Sequence, residues 1–177
     1  NIVDGNISLS WDSVAEETLD FINGYDFEGY RLYRSSNNGI SWGDPLYDTL
    51  GVQIGWEPYA QFDLTLEEDI ENFGYDISGP DPLAPWFNLG SNTGIAYSFT
   101  DTSLYLSDSL DNIFCYYLTA YDTGLPEFGI DEIGGTWSEG FPSLESAPSN
   151  VICINLFEPG SPGSGDINGD GMLDILD

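Results

Sequence analysis

The sequence predicts an all-β sandwich, and three observations lead there. Short runs alternate apolar and polar residues, the period of a half-buried strand rather than of a helix. Turn formers separate those runs, at Asp4-Gly5, Asn23-Gly24, Asn37-Asn38-Gly39 and Asp122-Thr123-Gly124. No long amphipathic helix pattern interrupts them, so the apolar faces of sheets are left to cover one another.

In chain order, Ile7-Ser8-Leu9-Ser10-Trp11 alternates first and Tyr30-Arg31-Leu32-Tyr33 second. The one expected helix runs from Thr65 to Phe73. Thr65 caps it, and Glu68 stands at the capping-box position. Tyr97-Ser98-Phe99-Thr100 alternates next. Phe114, Tyr116, Leu118 and Ala120 make one face of a long strand; Ile152, Ile154 and Leu156 make one face of the last. Residues 157–165, FEPGSPGSG, read as a Pro/Gly/Ser linker, with nothing to pack after Phe157.

These runs, in this order, resemble a fibronectin type III domain, an immunoglobulin-like β-sandwich. ISLSWDSV at 7–14 is similar to the second strand of that family, with Trp11 as its core tryptophan. FEGYRLYRSS at 27–36 is similar to the third strand. YSFTDTSL at 97–104 is similar to the strand and turn before the long sixth strand, which IFCYYLTAYD at 113–122 would supply. SAPSNVICINL at 146–156 looks like the final strand with its Ser- and Pro-bearing lead. The resemblance spans most of 1–156 and implies two long insertions, near 51–96 and 124–145. Phe114 stands where the family often has a corner tyrosine. Only six residues precede the second strand, so the first strand is expected to be short or missing. That leaves a sheet edge for an insertion, the tail or a strand of another subunit to cover. The same register sets Cys115 and Cys153 on outward faces of neighbouring strands. They form a cross-strand disulfide if they lie opposite each other, or remain two unpaired small hydrophobes.

Composition narrows the partners. Hydrophobic residues at 41% and aromatics at 15% suffice for a packed core despite the charge. Against 31 acidic residues stand two arginines, for a net charge of -29. Such a field repels nucleic acid and anionic membranes. It points to divalent cations, to high salt, to a need for solubility, or simply to an acidic surface. Without histidine there is no Ser-His-Asp device and no histidine zinc site; without lysine there is no Schiff base and no phosphate-loop lysine. No apolar window is long enough to span a membrane. The chain starts at Asn1 without a signal-like segment and reads as a piece of a longer precursor. An even pair of cysteines suits an oxidising, extracellular setting, and Asn6-Ile7-Ser8 matches the glycosylation pattern weakly.

The chain closes on GDINGDGMLDILD at 165–177. Calcium takes about six to eight oxygens, and a calcium loop presents them at alternating positions, with Gly at the sharp turn. Asp166, Asn168 and Asp170 fill the first three slots, and Gly171 the turn. Met172 offers its carbonyl, Asp174 binds directly or through water, and Asp177 closes the loop. Asp in place of Glu at the last slot shortens its reach. The stretch resembles the first half of a dockerin repeat, whose last ligand is Asp. A dockerin carries a following helix and a second repeat, so the domain's acidic insertion or the next copy of the protein is expected to steady this loop.

Glu57, Asp63, Glu67, Glu68, Asp69, Glu71 and Asp76 crowd the first insertion. They read as a solvated face, a second cation site, or, least of all, paired carboxylates of a glycosidase. Trp42, Trp56, Trp86 and Trp137 lie near turns or insertions, either as a satellite core or as platforms for sugar rings or a partner. Arg31 and Arg34 are expected to be structural ion-pair partners. Together these features lead to a secreted, non-enzymatic, calcium-binding structural module at a cell surface or in an extracellular assembly. Its expected partner is further copies of itself, joined head to tail in a filament. The alternatives are an accessory, dockerin-bearing module of a polysaccharide-degrading complex and a carbohydrate-binding module.

Overall fold

The alternating runs become strands, and every strand pair is antiparallel. The computed structural model describes residues 2–3, 6–19, 24–104, 112–124, 128–129, 137–138 and 140–156. In chain order the elements are β1 (Ile2–Val3), β2 (Asn6–Ser10), a 3₁₀ turn (Val14–Glu17), β3 (Phe27–Ser35), β4 (Pro45–Tyr47), β5 (Gln53–Trp56) and β6 (Ala60–Asp63). There follow α1 (Leu66–Asn72), β7 (Ser98–Asp101), β8 (Ile113–Asp122), β9 (Phe128–Gly129), β10 (Trp137–Ser138) and β11 (Ile152–Asn155). One sheet has the order β1-β2-β7 and the other β11-β8-β3-β6; β4-β5 and β9-β10 form separate two-stranded pairs. The expected all-β class holds, with α1 the one α-helix among the described residues.

The core lies between the two larger sheets. Ile7 of β2 packs with Leu32 of β3, Phe114 and Tyr116 of β8, and Leu156; Leu9, Phe62 and Phe99 close around them. Trp11 is half-buried against Tyr30 and Phe62, with ring centroids 6.1 Å and 5.5 Å away. A polar bolt crosses this apolar layer. Asp101 of β7, fully buried, accepts from Arg34 Nη1 of β3 at 2.9 Å, Tyr59 Oη at 2.9 Å and Tyr116 Oη of β8 at 2.7 Å. Arg34 also lies over the Tyr59 ring, 4.0 Å from its centroid.

The outer face of the four-stranded sheet is covered as well. Tyr33 stacks on Tyr117 at 4.6 Å, and Trp42 meets Tyr117 edge-on at 4.5 Å. Arg31 lies in the same layer, 3% exposed, 3.9 Å from the Tyr121 ring centroid. It donates to Glu145 Oε2 at 3.0 Å and to the Asn88 carbonyl at 2.8 Å. One cation thereby anchors two chain segments that return over the sheet. The ion-pair roles expected of both arginines are present, on opposite faces of one strand.

Cys115 and Cys153 are register partners on β8 and β11 and form a disulfide. Cys115 lies on the outer face of β8 as expected and is fully buried there, while Cys153 is exposed. Before β11 the chain already runs beside β8: Ser146 N donates to the Ala120 carbonyl and Ser149 N to the Leu118 carbonyl, each at 2.8 Å. The helix forms as expected, with both halves of the Thr65–Glu68 capping box in place.

Burial pushes the Asp101 carboxyl up, but Arg34, Tyr116, the Ser103 amide and Tyr59 outweigh it and hold it below its ordinary value. A carboxyl depressed in the folded state contributes stability that is present above its unfolded value and lost as pH falls through the folded one. Asp101→Asn is therefore expected to lower stability by about 3 kcal/mol at pH 7 and to flatten the fall below pH 4. Urea unfolding from pH 2 to 7 measures both; an unchanged acid limb would contradict this role.

Candidate functional site

The chemistry-bearing residues collect where β3, β6, α1 and the segment after it meet. Asp63 ends β6, fully buried, beside Gly29 of β3 in register. Its Oδ2 accepts from the amides of Ser91, at 2.7 Å, and Asn92. Its Oδ1 accepts from the Thr93 amide, at 3.1 Å, and the Thr93 hydroxyl. One carboxylate thus folds the 90–93 turn around itself. Gly90 is required there: its φ is 141°, and a β-carbon would collide with the Asp63 carboxylate. Asn92, at φ 58°, donates its Nδ2 to Asp76 Oδ1 at 3.1 Å.

Asp69 projects from α1 and is fully buried. Its Oδ2 accepts from the Ile77 amide at 2.9 Å, which folds the chain back after the helix. Its Oδ1 has no hydrogen-bond partner. Burial raises the Asp69 carboxyl above its ordinary value, and Asp76, Asp63 and Glu68 add to that against the pull of the Ile77 amide.

Glu28 completes the group. The β3–β8 register slips between Phe27 and Gly29, so Glu28 is the extra residue of a bulge, a device that re-aims side chains. It is fully buried, and neither carboxylate oxygen has a partner. Burial, then the negative charges of Asp69, Asp63, Asp76 and Glu68, push its carboxyl up to about 10. The buried side-chain atoms without partners among the described residues are Trp11 Nε1, both Glu28 oxygens, Asp69 Oδ1 and Asn92 Oδ1. All but the first belong to this centre. Buried polar atoms are nearly always satisfied, so such a concentration is unusual.

The acidic insertion therefore divides. Glu57, Glu67, Glu68 and Glu71 are exposed, as expected of a solvated face, while Asp63 and Asp69 are buried. No sequence argument singled out Glu28. Simple alternation would set Glu28 on the face of Tyr30 and Leu32; the bulge breaks that alternation, and no local pattern marks it. The expected calcium ligands Asp166, Asn168, Asp170, Met172, Asp174 and Asp177 lie outside the described residues.

The tryptophans divide too. Trp42 belongs to the outer aromatic layer. Trp56 and Trp86 share a groove of about 390 Å³ with Pro58, Gln61, Phe87 and Asn88. Trp137 falls in β10, and its side chain is outside what the structure describes. Compared with known proteins, the chain matches no family model, no curated protein and no solved structure.

Gly90→Ala is expected to cost about 2 kcal/mol, because it forces a β-carbon into a left-handed backbone position against Asp63. A urea midpoint equal to that of the parent would show that the 90–93 turn does not need the Asp63 contact.

Proposed function

We propose that the chain is a secreted, non-enzymatic structural module with a fibronectin type III-like fold. On this reading it takes up calcium through the loop at 166–177 and assembles with further copies of itself at a cell surface or in a fibre. One observation carries the reading. Both cations of the protein are held in ion pairs, Arg31 with Glu145 and Arg34 with Asp101. No lysine or histidine remains to pair with the exposed carboxylates, so neutralisation falls to cations from solution.

The strand order β1-β2-β7 against β11-β8-β3-β6 supports the fibronectin type III-like assignment. The disulfide supports an oxidising, extracellular setting. A tail that docks on the next copy rather than its own generates an open filament.

Calcium bound only by the folded form raises stability by RT ln(1 + [L]/Kd). At low ionic strength, millimolar calcium is expected to raise the melting temperature by several degrees and to promote assemblies visible in sedimentation and negative stain, both reversed by chelator. Indifference of melting and assembly to chelator, with sodium chloride alone restoring stability, would leave salt adaptation as the reading.

The groove between Trp56 and Trp86 favours a second reading, a carbohydrate-binding module. Aromatic faces beside Gln61 and Asn88 suit a sugar ring, which presents apolar C–H faces and equatorial hydroxyls. A glycan array is expected to give a ligand whose binding falls at least about tenfold in Trp56→Ala and Trp86→Ala, a loss of roughly 1.4 kcal/mol. Binding that survives both substitutions places sugar recognition elsewhere.

A further inference from the structure

We propose that Glu28 and Asp69, together with Asn92 Oδ1, bind a calcium ion at a buried site beside β3, β6 and α1, separate from the loop at 166–177. Two independent observations meet here. The first is the charge cluster itself, Glu28 and Asp69 beside Asp63 and Asp76 with no basic residue in it. The second is that Glu28, with both oxygens unpartnered, is fully buried within that cluster, and Asp69 Oδ1 is equally unpartnered.

Neither ordinary protonation state accounts for Glu28. An ionised, unpaired carboxylate in the interior costs several kcal/mol. A protonated one carries an O–H that also needs an acceptor, and neither oxygen has a hydrogen-bond partner. A cation satisfies both oxygens and the charge together.

The donor set selects the ion. It consists only of carboxylate and amide oxygens, which suits a hard cation and not zinc or copper. Two carboxylates match a divalent charge. Magnesium keeps most of its water and demands octahedral geometry; calcium accepts carboxylate and amide oxygens in irregular arrangements, so calcium is the better fit.

The neighbours shape the site without binding the ion. Asp63 has both oxygens engaged by the 91–93 turn and so acts as the scaffold that presents Asn92. Asp76 accepts from Asn92 Nδ2, and a carboxylate can only accept, so the amide oxygen is the free end. Asp76 itself is exposed and marks the side from which an ion arrives. Among the described residues no three Asp, Glu, Cys or His side chains stand together as a metal site. The set here is two carboxylates and an amide, and water completes the shell.

The test separates this site from the tail loop. Calcium is titrated calorimetrically into the chelator-treated full chain at low ionic strength, with terbium luminescence as a second readout. Four proteins are compared: the parent, Asp166→Asn/Asp170→Asn, and each of these carrying Glu28→Gln. The tail variant is expected still to bind one calcium ion, and Glu28→Gln to weaken that binding by roughly tenfold or more. Glu28→Gln keeps the shape and removes the charge, so it is expected to fold in chelator; Asp69→Asn in the tail variant serves as the second substitution if it does not. The proposal is overturned if the tail variant binds no calcium, or if affinity stays within about twofold after both Glu28→Gln and Asp69→Asn. Equal calcium stoichiometry in the parent and the tail variant would instead remove the tail loop from the proposed function and leave this site standing.

Discussion

Two arginines on one central strand organise this molecule. Arg31 and Arg34 are three residues apart on β3, so strand alternation turns them to opposite faces. Arg34 enters the sandwich and ties β3 to Asp101 on the facing sheet. Arg31 turns outward, and its guanidinium holds the 79–90 segment through Asn88 and the 143–146 segment through Glu145. Each pair sits in a protein with no cation to spare, so no other side chain can replace either arginine. The planar guanidinium suits both positions, since it stacks on Tyr121 or Tyr59 while its edge donates hydrogen bonds.

Where no arginine is available, backbone amides take the cation's place. Asp48 accepts from the amides of Leu50 and Val52, Asp81 from Leu83, Ala84 and Ser143, and Asp122 from Gly124 and Leu144. Asp63 does the same at the 91–93 turn. Aspartate is well suited to this, because its short side chain reaches amides two or three residues on. An acidic composition thereby becomes a set of loop organisers, and much of the buried negative charge is satisfied internally. The Glu28–Asp69 centre is the exception to that economy. Both Glu28 oxygens and Asp69 Oδ1 have no amide partner, although Asp69 Oδ2 takes the Ile77 amide.

Much of the fold was legible in the chain. Alternation at Ile7–Trp11, Tyr30–Tyr33 and 113–122 located three strands, and the Thr65–Glu68 capping box located the helix to its cap residue. These are local patterns, set by the two-residue strand period and by orphan amides at a helix start. The burial of Asp69 was not legible, because helical spacing alone gave Glu67, Glu68 and Asp69 the same exposed look. Nor was the shared groove of Trp56 and Trp86, which lie thirty residues apart in the chain and meet only when two loops return to one sheet face.

The sequence by itself determined the class of the fold, the helix cap, the extreme charge and the chemistry that charge excludes, because each depends on composition or on residues a few places apart. Only the tertiary structure decided the disulfide, the opposite duties of the two arginines and the burial of Glu28 beside Asp69. Those depend on strand register, on a bulge at one residue and on loops that fold back over a sheet. A one-residue change in register would send the same side chains to the other face, and nothing in the local pattern fixes where a bulge falls.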